Sequence, residues 1–401
     1  MLLSLSLILI VGFSLSGIFN RLKLPGLMGM ILTGILLGPY VLNWISNDIL
    51  DISSELREIA LIIILTRAGL AIDLADLKRV GRPAILMCFV PATFELVAII
   101  LLAPPLFGIS VIEAAILGTV LAAVSPAVIV PRMLHLMENG YGKDKSIPQL
   151  IMAGASVDDI YVIVLFTAFM GMYGGEGFNA STLLKVPISI ALGIGLGIIS
   201  GVIIVKVFKR LHVRDTVKVM VILSVAFLFV SLETFLKPYL PVSGLIAVMA
   251  MGATILETYE VLAKRLKGKF SKIWVGAEIL LFVLVGAAVD IRYLGAAGLG
   301  AIALILVALI FRIIGVNLSL IKTPLKQKER LFCSIAYLPK ATVQAAIGAI
   351  PLSAGVTSGH LILTIAVLAI MITAPIGAIG IDLTYKKFLT GPEDAEKSMS
   401  S

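Results

Sequence analysis

Asp158 and Asp159 stand side by side in the apolar run IMAGASVDDIYVIVLFTAF, which is long enough to cross a bilayer. An ionised acid at that depth costs about 3 kcal/mol or more, so a buried pair marks a functional site by default. Its simplest chemistry is the binding and release of protons or small cations. Neighbouring residues point about 100° apart on a helix, so one carboxylate can meet a cation of the protein while the other faces a cavity. Lys340, directly after Pro339, can supply that cation to one of the aspartates, because a buried ammonium gives up its proton readily and a carboxylate–ammonium pair titrates as one unit.

A second charged set lies close to the first in kind. Glu95 and Arg312 both fall within apolar segments, 217 residues apart, and truncating one member of a buried pair costs about 3–5 kcal/mol. They read as a structural clasp or a gate, and a clasp predicts that a charge swap partly restores what either alanine variant loses. Arg67 is a third intramembrane cation, with Asp73 and Glu278 as candidate partners and no role assigned.

Oxygen ligands suit small hard cations. Na+ or Li+ can be held by a carboxylate, a hydroxyl such as Ser125 or Ser156, a freed backbone carbonyl and water. Protons compete for the same carboxylate. A bare buried carboxylate is expensive to carry through an occluded state while either ligand neutralises it, so such a site exchanges one ion for the other. An intramembrane aspartyl protease also needs two acids, but from facing helices, a geometry that adjacent residues on one helix do not supply.

The elements that must position these groups follow from composition. The 401 residues are 59% hydrophobic and 14% charged, with mean hydropathy +1.10, far from the balance of soluble domains. The chain reads as an all-α polytopic membrane protein. Windows of about 20 apolar residues give about thirteen spans, at 2–20, 27–44, 56–74, 84–104, 111–137, 148–173, 183–208, 217–236, 241–258, 273–290, 296–320, 330–353 and 360–386. The first, MLLSLSLILIVGFSLSGIFN, lacks the basic start of a signal peptide and is kept as a transmembrane helix. Alternate loops and the tail hold twenty-five Lys and Arg residues against four on the other side, which places the N-terminus outside and the C-terminus in the cytoplasm. The same asymmetry accounts for the net charge of +8. Dispersed over short loops without interleaved aromatics, these cations do not make a nucleic-acid surface.

The two halves repeat. Leu24-Pro25 before a Gly-rich span recurs as Leu240-Pro241, and Gly69 to Asp73 recurs as Gly286 to Asp290, at offsets of 216–217 residues; Pro126 and Pro339 keep a similar spacing. The shift is seven spans, an odd number, so the second six-helix repeat lies upside down, the construction of many secondary transporters. Within each repeat one span is interrupted, by Ser125-Pro126 and Pro131 in the first and by Pro339 and Pro351 in the second. A Pro frees backbone groups one turn back, which is tolerated where they line a cavity. Two broken helices are expected to cross beside the acid pair.

These motifs, LPGLMGMILTGILLGP, LTRAGLAID, VSPAVIVPRM, SVDDIYVIVLF and LPKATVQAAIG, resemble the monovalent cation:proton antiporter superfamily. LPKATVQAAIG with ITAPIGAIG, and the Glu95/Arg312 spacing, are similar to its NHA clade of sodium/lithium–proton exchangers. The resemblance spans about residues 20 to 385. It implies an NhaA-like fold, an elevator-like homodimer and a role in pH homeostasis. It makes Asp159 the residue that binds the metal ion (Na+ or Li+), Asp158 the aspartate paired with Lys340, and Glu95/Arg312 the core ion pair. Ser125 stands where many members have threonine, and Pro126-Ala127 lacks an acid that some members carry at the crossover. The expected domains are 1–55, first part of a dimerisation domain; 56–174, first repeat of the core; 175–271, linker helix and second dimerisation part; 272–387, second core repeat; and 388–401, a short cytoplasmic tail, too small for a nucleotide-binding domain.

The expected partners are therefore a monovalent cation, protons, the lipid bilayer of the cell membrane and a second copy of the chain, with no cofactor and no enzymatic activity. A sodium-coupled organic-anion symporter of related inverted-repeat fold is the alternative, and it requires a larger polar cavity without the Pro-Lys feature. Cys88 and Cys333 lie in apolar segments without metal-site spacing and read as packing residues. His135, His212 and His360 fall in loops or at span ends.

Overall fold

The computed structural model describes residues 1–71, 81–173, 180–211, 213–236 and 240–391, with the side chains of Ser156, 180–187 and 293–297 left aside. Asp73, His212 and the polar tail therefore lie outside the described residues. All regular structure among those described is helical. In chain order the helices are α1 (Leu2–Arg21), α2 (Gly26–Leu37), α3 (Asn47–Asp51), α4 (Ser53–Gly69), α5 (Arg82–Met87), α6 (Val90–Phe107), α7 (Val111–Ala122), α8 (Pro126–Glu138) and α9 (Ile147–Tyr173). They continue with α10 (Ala180–Arg210), α11 (Asp215–Leu236), α12 (Gly244–Thr258), α13 (Glu260–Ala287), α14 (Ile291–Ser319), α15 (Gln327–Ala336), α16 (Thr342–Gly348), α17 (Ile350–Ser353) and α18 (Gly359–Phe388).

By length and composition, nine stretches among the described residues can cross a membrane. The sequence windows gave about thirteen. The difference lies in spans 27–44, 56–74, 241–258 and 330–353, which correspond to the shorter α2, α4, α12 and the broken α15–α17. Apolar composition continues past the last helical turn in these places, at Gly38 after α2 and at Tyr337 after α15, so a hydropathy window overstates the helix.

The chain divides into two compact units. The first gathers Met1–Ile49, Asp73–Val162 and Phe282–Ser401. Within it α1 turns Ser4, Ile8, Gly12 and Ser16 inward at helical spacing, and Ser4 also receives the backbone N–H of Ser46 at 2.9 Å. The start of α7 is fixed by a capping box: Ser110 accepts from the Glu113 N–H while Glu113 accepts from the Ser110 N–H at 2.9 Å. The other carboxylate oxygen of Glu113 accepts from the Ser358 N–H at 3.1 Å, which ties the start of α7 to that of α18. At the opposite end Lys145 donates to both oxygens of the buried Glu329, at 2.7 and 2.8 Å, and Gly142 N–H donates to Thr390 O at 3.0 Å.

The second unit comprises Leu50–Ile72 and Ile163–Leu281. Here α10 places Gly193, Gly197 and Gly201 four residues apart against α12, where an added Cβ would press on Ser243 O, Ala247 O and Thr254 Cβ at 2.5–2.7 Å. In lipid, helices associate by close packing, and small residues at this spacing let backbones approach. Glu233 accepts the N–H of Gly244 at 2.7 Å and so caps α12. Arg67, for which sequence offered only candidates, lies with its guanidinium over the Trp274 ring, 5.4 Å from the centroid.

The glycine stripe yields a test. Gly197→Leu forces α10 from α12 and lowers the melting temperature in detergent, as expected for an overpacking cost of about 1–3 kcal/mol, whereas Gly195→Leu, whose Cβ position is open, melts like the wild type.

Candidate functional site

All the groups of the site belong to the first unit. Both expected interruptions occur. The helix begun at Val111 ends at Ala122, and α8 restarts at Pro126, whose missing N–H suits a first helical turn. Pro131 is accommodated inside α8. In the second broken segment α15 ends at Ala336, residues 337–341 run without helix, Pro339 among them, and α16 begins at Thr342. The two breaks touch: Ser125 N–H donates to Pro339 O at 2.8 Å. Gly377 of α18 lies beneath Pro339, with no room for a Cβ.

At this crossing the carbonyl ends of α7 and α15 converge. Helix C-termini carry partial negative charge and unsatisfied carbonyls, and one side chain answers both. Arg312, fully buried on α14, donates through Nε to Tyr337 O at 2.6 Å and through Nη1 to Ala122 O. Its remaining capacity goes to carboxylates, with Nη1 2.8 Å from Glu95 Oε2 and Nη2 3.2 Å from Asp158 Oδ2. The Tyr337 ring covers the guanidinium, 5.5 Å from ring centroid to Cζ. Five directional donors on a rigid plane make this possible.

Lys340 is also buried, and its partner differs from the one expected. Its Nζ lies 2.8 and 2.9 Å from the two oxygens of Glu95, whereas the cationic contact of Asp158 is with Arg312. The reason is geometric. Asp158 Oδ2 is held by the Val124 N–H at 2.8 Å in the first break and by Arg312, which leaves Glu95 to bridge both cations. The Lys340 backbone is fixed by donation to Thr373 Oγ1 at 2.9 Å.

Two cations and two anions thus close on each other: Arg312 and Lys340 with Glu95 and Asp158. Asp159 stands outside this balance. It is 8% exposed, its Oδ1 is buried without a hydrogen-bond partner, and no ion pair reaches it among the described residues. Asp158 Oδ1 and the fully buried Ser125 Oγ are likewise unpartnered. Buried polar atoms are almost always satisfied, which makes these three oxygens the candidate ligands of the site. The side chain of Ser156 lies outside the described ones.

The comparisons with known proteins can now be set beside this geometry. Residues 5–387 match the family described as "Sodium/hydrogen exchanger, transmembrane". The sodium/hydrogen exchanger 9B2 of Homo sapiens is 36% identical over 396 residues, covering 93% of this chain and 71% of that protein. The chain belongs to the sodium/hydrogen exchanger family. The 9B2 protein of Mus musculus is 34% identical, covering 94% and 69% of the two chains, and the human exchanger 9B1 is 31% identical, covering 93% and 74%. Its fold is that of the sodium proton antiporter MjNhaP1 from Methanocaldococcus jannaschii, with a TM-score of 0.82 at 21% identity over 96% of this chain and 97% of the other.

In this exchanger-family chain, sequence reasoning missed two participants. Gln344 is fully buried at the start of α16, where it accepts from Ala341 N–H and donates to Ala123 O, both at 2.8 Å. Tyr337 supplies a ring and a carbonyl to Arg312. Neither is charged, so neither stood out in an apolar segment; only the broken backbone beside them hinted at unmet carbonyls.

The expected Glu95–Arg312 pair is present, and the arginine extends it to Asp158 and two carbonyls. Arg312→Ala leaves two carbonyls without their donor and takes one cationic partner each from Glu95 and Asp158, and is expected to destabilise by about 3–5 kcal/mol, more than Glu95→Ala. The swap of Glu95→Arg with Arg312→Glu should not recover the loss, because a glutamate cannot donate to Ala122 O or Tyr337 O. Thermal unfolding in detergent of the two single variants and the double variant decides this, and recovery in the double variant would restore the clasp reading.

Proposed function

We propose that the chain is an antiporter that exchanges one Na+ or Li+ for one H+, with both ions competing for Asp159. The observation that carries this reading is the uncompensated, buried Asp159 beside a four-residue cluster that is already neutral. When Asp159 is bare, an anion stands without a partner in low dielectric; a proton or an alkali cation removes that penalty equally. The empty site therefore does not cross, while either loaded form does.

The one-for-one count follows from Lys340. Its ammonium is held by Glu95 rather than by the ion-binding acids, so cation binding at Asp159 has no lysine proton to displace. Asp158, fixed by Val124 N–H and Arg312, presents its free Oδ1 as a further ligand, and Ser125 Oγ adds a hydroxyl to the oxygen set that a small hard cation prefers. Support for the cargo comes from the family and from relatives named as sodium/hydrogen exchangers.

Movement is taken to be elevator-like, with the inverted repeats of the core carrying the site and a homodimer providing the scaffold. The division of the chain into two compact units supports such a separation of parts. The loop-charge asymmetry supports a cell-membrane protein with its N-terminus outside.

Proteoliposomes test the reading directly. Wild type should show proton flux driven by Na+ or Li+ that an imposed membrane voltage leaves unchanged, and Asp159→Asn should abolish it. The apparent KM for Na+ should rise about tenfold per pH unit on the acid limb, because the ligand must be deprotonated to bind metal. Undiminished exchange in Asp159→Asn removes the site; flux that follows voltage removes the one-for-one count.

A further inference from the structure

We propose that Gln344 sets ion selectivity by withholding backbone carbonyls from the site, which rests on the exchange reading above. The last carbonyls of α7 lie two to four residues before Ser125, whose hydroxyl is one of the unpartnered oxygens. Carbonyls freed at a helix break are ready ligands for an alkali ion. Here three consecutive ones are occupied. Gln344 Nε2 donates to Ala123 O at 2.8 Å and reaches Leu121 O at 3.4 Å, and Arg312 takes Ala122 O between them.

The amide is well aimed for this task. Its oxygen accepts from Ala341 N–H at 2.8 Å, which fixes which end of the side chain is the donor, and the residue is fully buried. A glutamine also adds no charge, so it satisfies two carbonyls without upsetting the neutral cluster of Arg312, Lys340, Glu95 and Asp158.

The consequence is a site dominated by carboxylate and hydroxyl oxygens. Anionic ligands give a strong field, which repays the large dehydration cost of Li+ and Na+. Carbonyl dipoles give a weaker field, and several of them together are the coordination by which K+ is accommodated. Gln344 thereby tilts the site toward the smaller ions, acting as a positioning residue on α7 rather than as a ligand.

Two variants separate this role from simple packing. Gln344→Met keeps the volume and loses both donors. Gln344→Glu keeps the acceptor for Ala341 N–H, and donates to Ala123 O only when protonated. Exchange is measured in proteoliposomes with Na+, Li+ and K+ across a pH series, alongside melting and gel filtration. Gln344→Met should narrow the ratio of KM for K+ to KM for Na+ by about tenfold, the worth of one to two hydrogen bonds, with kcat for Na+ changing less. Gln344→Glu should resemble the wild type at low pH and Gln344→Met at high pH. If wild type exchanges Na+ for H+ but neither variant, folded by these criteria, changes the KM ratio, the Gln344 assignment is wrong. If wild type shows no cation-dependent proton flux, the exchange reading fails instead. Should Gln344→Met not fold, the pH dependence of selectivity in Gln344→Glu decides alone.

Discussion

The Arg312 guanidinium is the constraint around which the site is arranged. It joins the C-terminal ends of two interrupted helices to two carboxylates on two further helices. Without it, two carbonyls would be buried with no donor and two carboxylates would each lose a cationic partner. A charge this deep is tolerated because each of its three nitrogens finds an acceptor, and the carbonyls it satisfies are the ones that a helix break exposes. The broken helices and the buried arginine are thus a single solution to one problem. Each would be untenable without the other.

From that node the division of labour follows. Arg312 holds Asp158 from one side and Val124 N–H holds it from the other, so this acid is a fixed element. Glu95 occupies Lys340. Asp159, one residue away but turned to another side of α9, receives none of these contacts among the described residues. Adjacent acids in one helix therefore acquire opposite surroundings through the angle between them, one held by Arg312 and Val124 N–H and one with a buried oxygen that has no partner. The small rotation per residue of an α-helix is enough to make that difference.

Much of this was legible in the sequence because charge is rare in lipid. Asp158, Asp159, Lys340, Glu95 and Arg312 are conspicuous against apolar neighbours, and the prolines at 126 and 339 announce the breaks. Partners were less legible than participants. Lys340 follows Pro339 directly and looked available to an aspartate, yet its choice depends on which carboxylate Arg312 and Val124 leave open, a matter of three-dimensional competition. Gln344 was silent because an uncharged amide near an apolar helix start has no signature of its own. Helix ends were less legible where apolar residues continue beyond them, as after α2 and α15, since hydropathy measures the solvent a segment tolerates and not the conformation it adopts.

The unit that holds this cluster is assembled from three separated stretches of chain, and its cations come last. Glu95 precedes Arg312 by 217 residues and Lys340 by 245, and Asp158 precedes Arg312 by 154. At roughly 5–20 residues per second of synthesis, the ribosome releases both acids about 8 seconds or more before the lysine and arginine that pair with them. The nascent protein must shelter these acids meanwhile, as protonated groups or beside water at the insertion machinery. Biogenesis is therefore most vulnerable before the final third emerges, and a premature stop there would leave orphaned acids inside the bilayer.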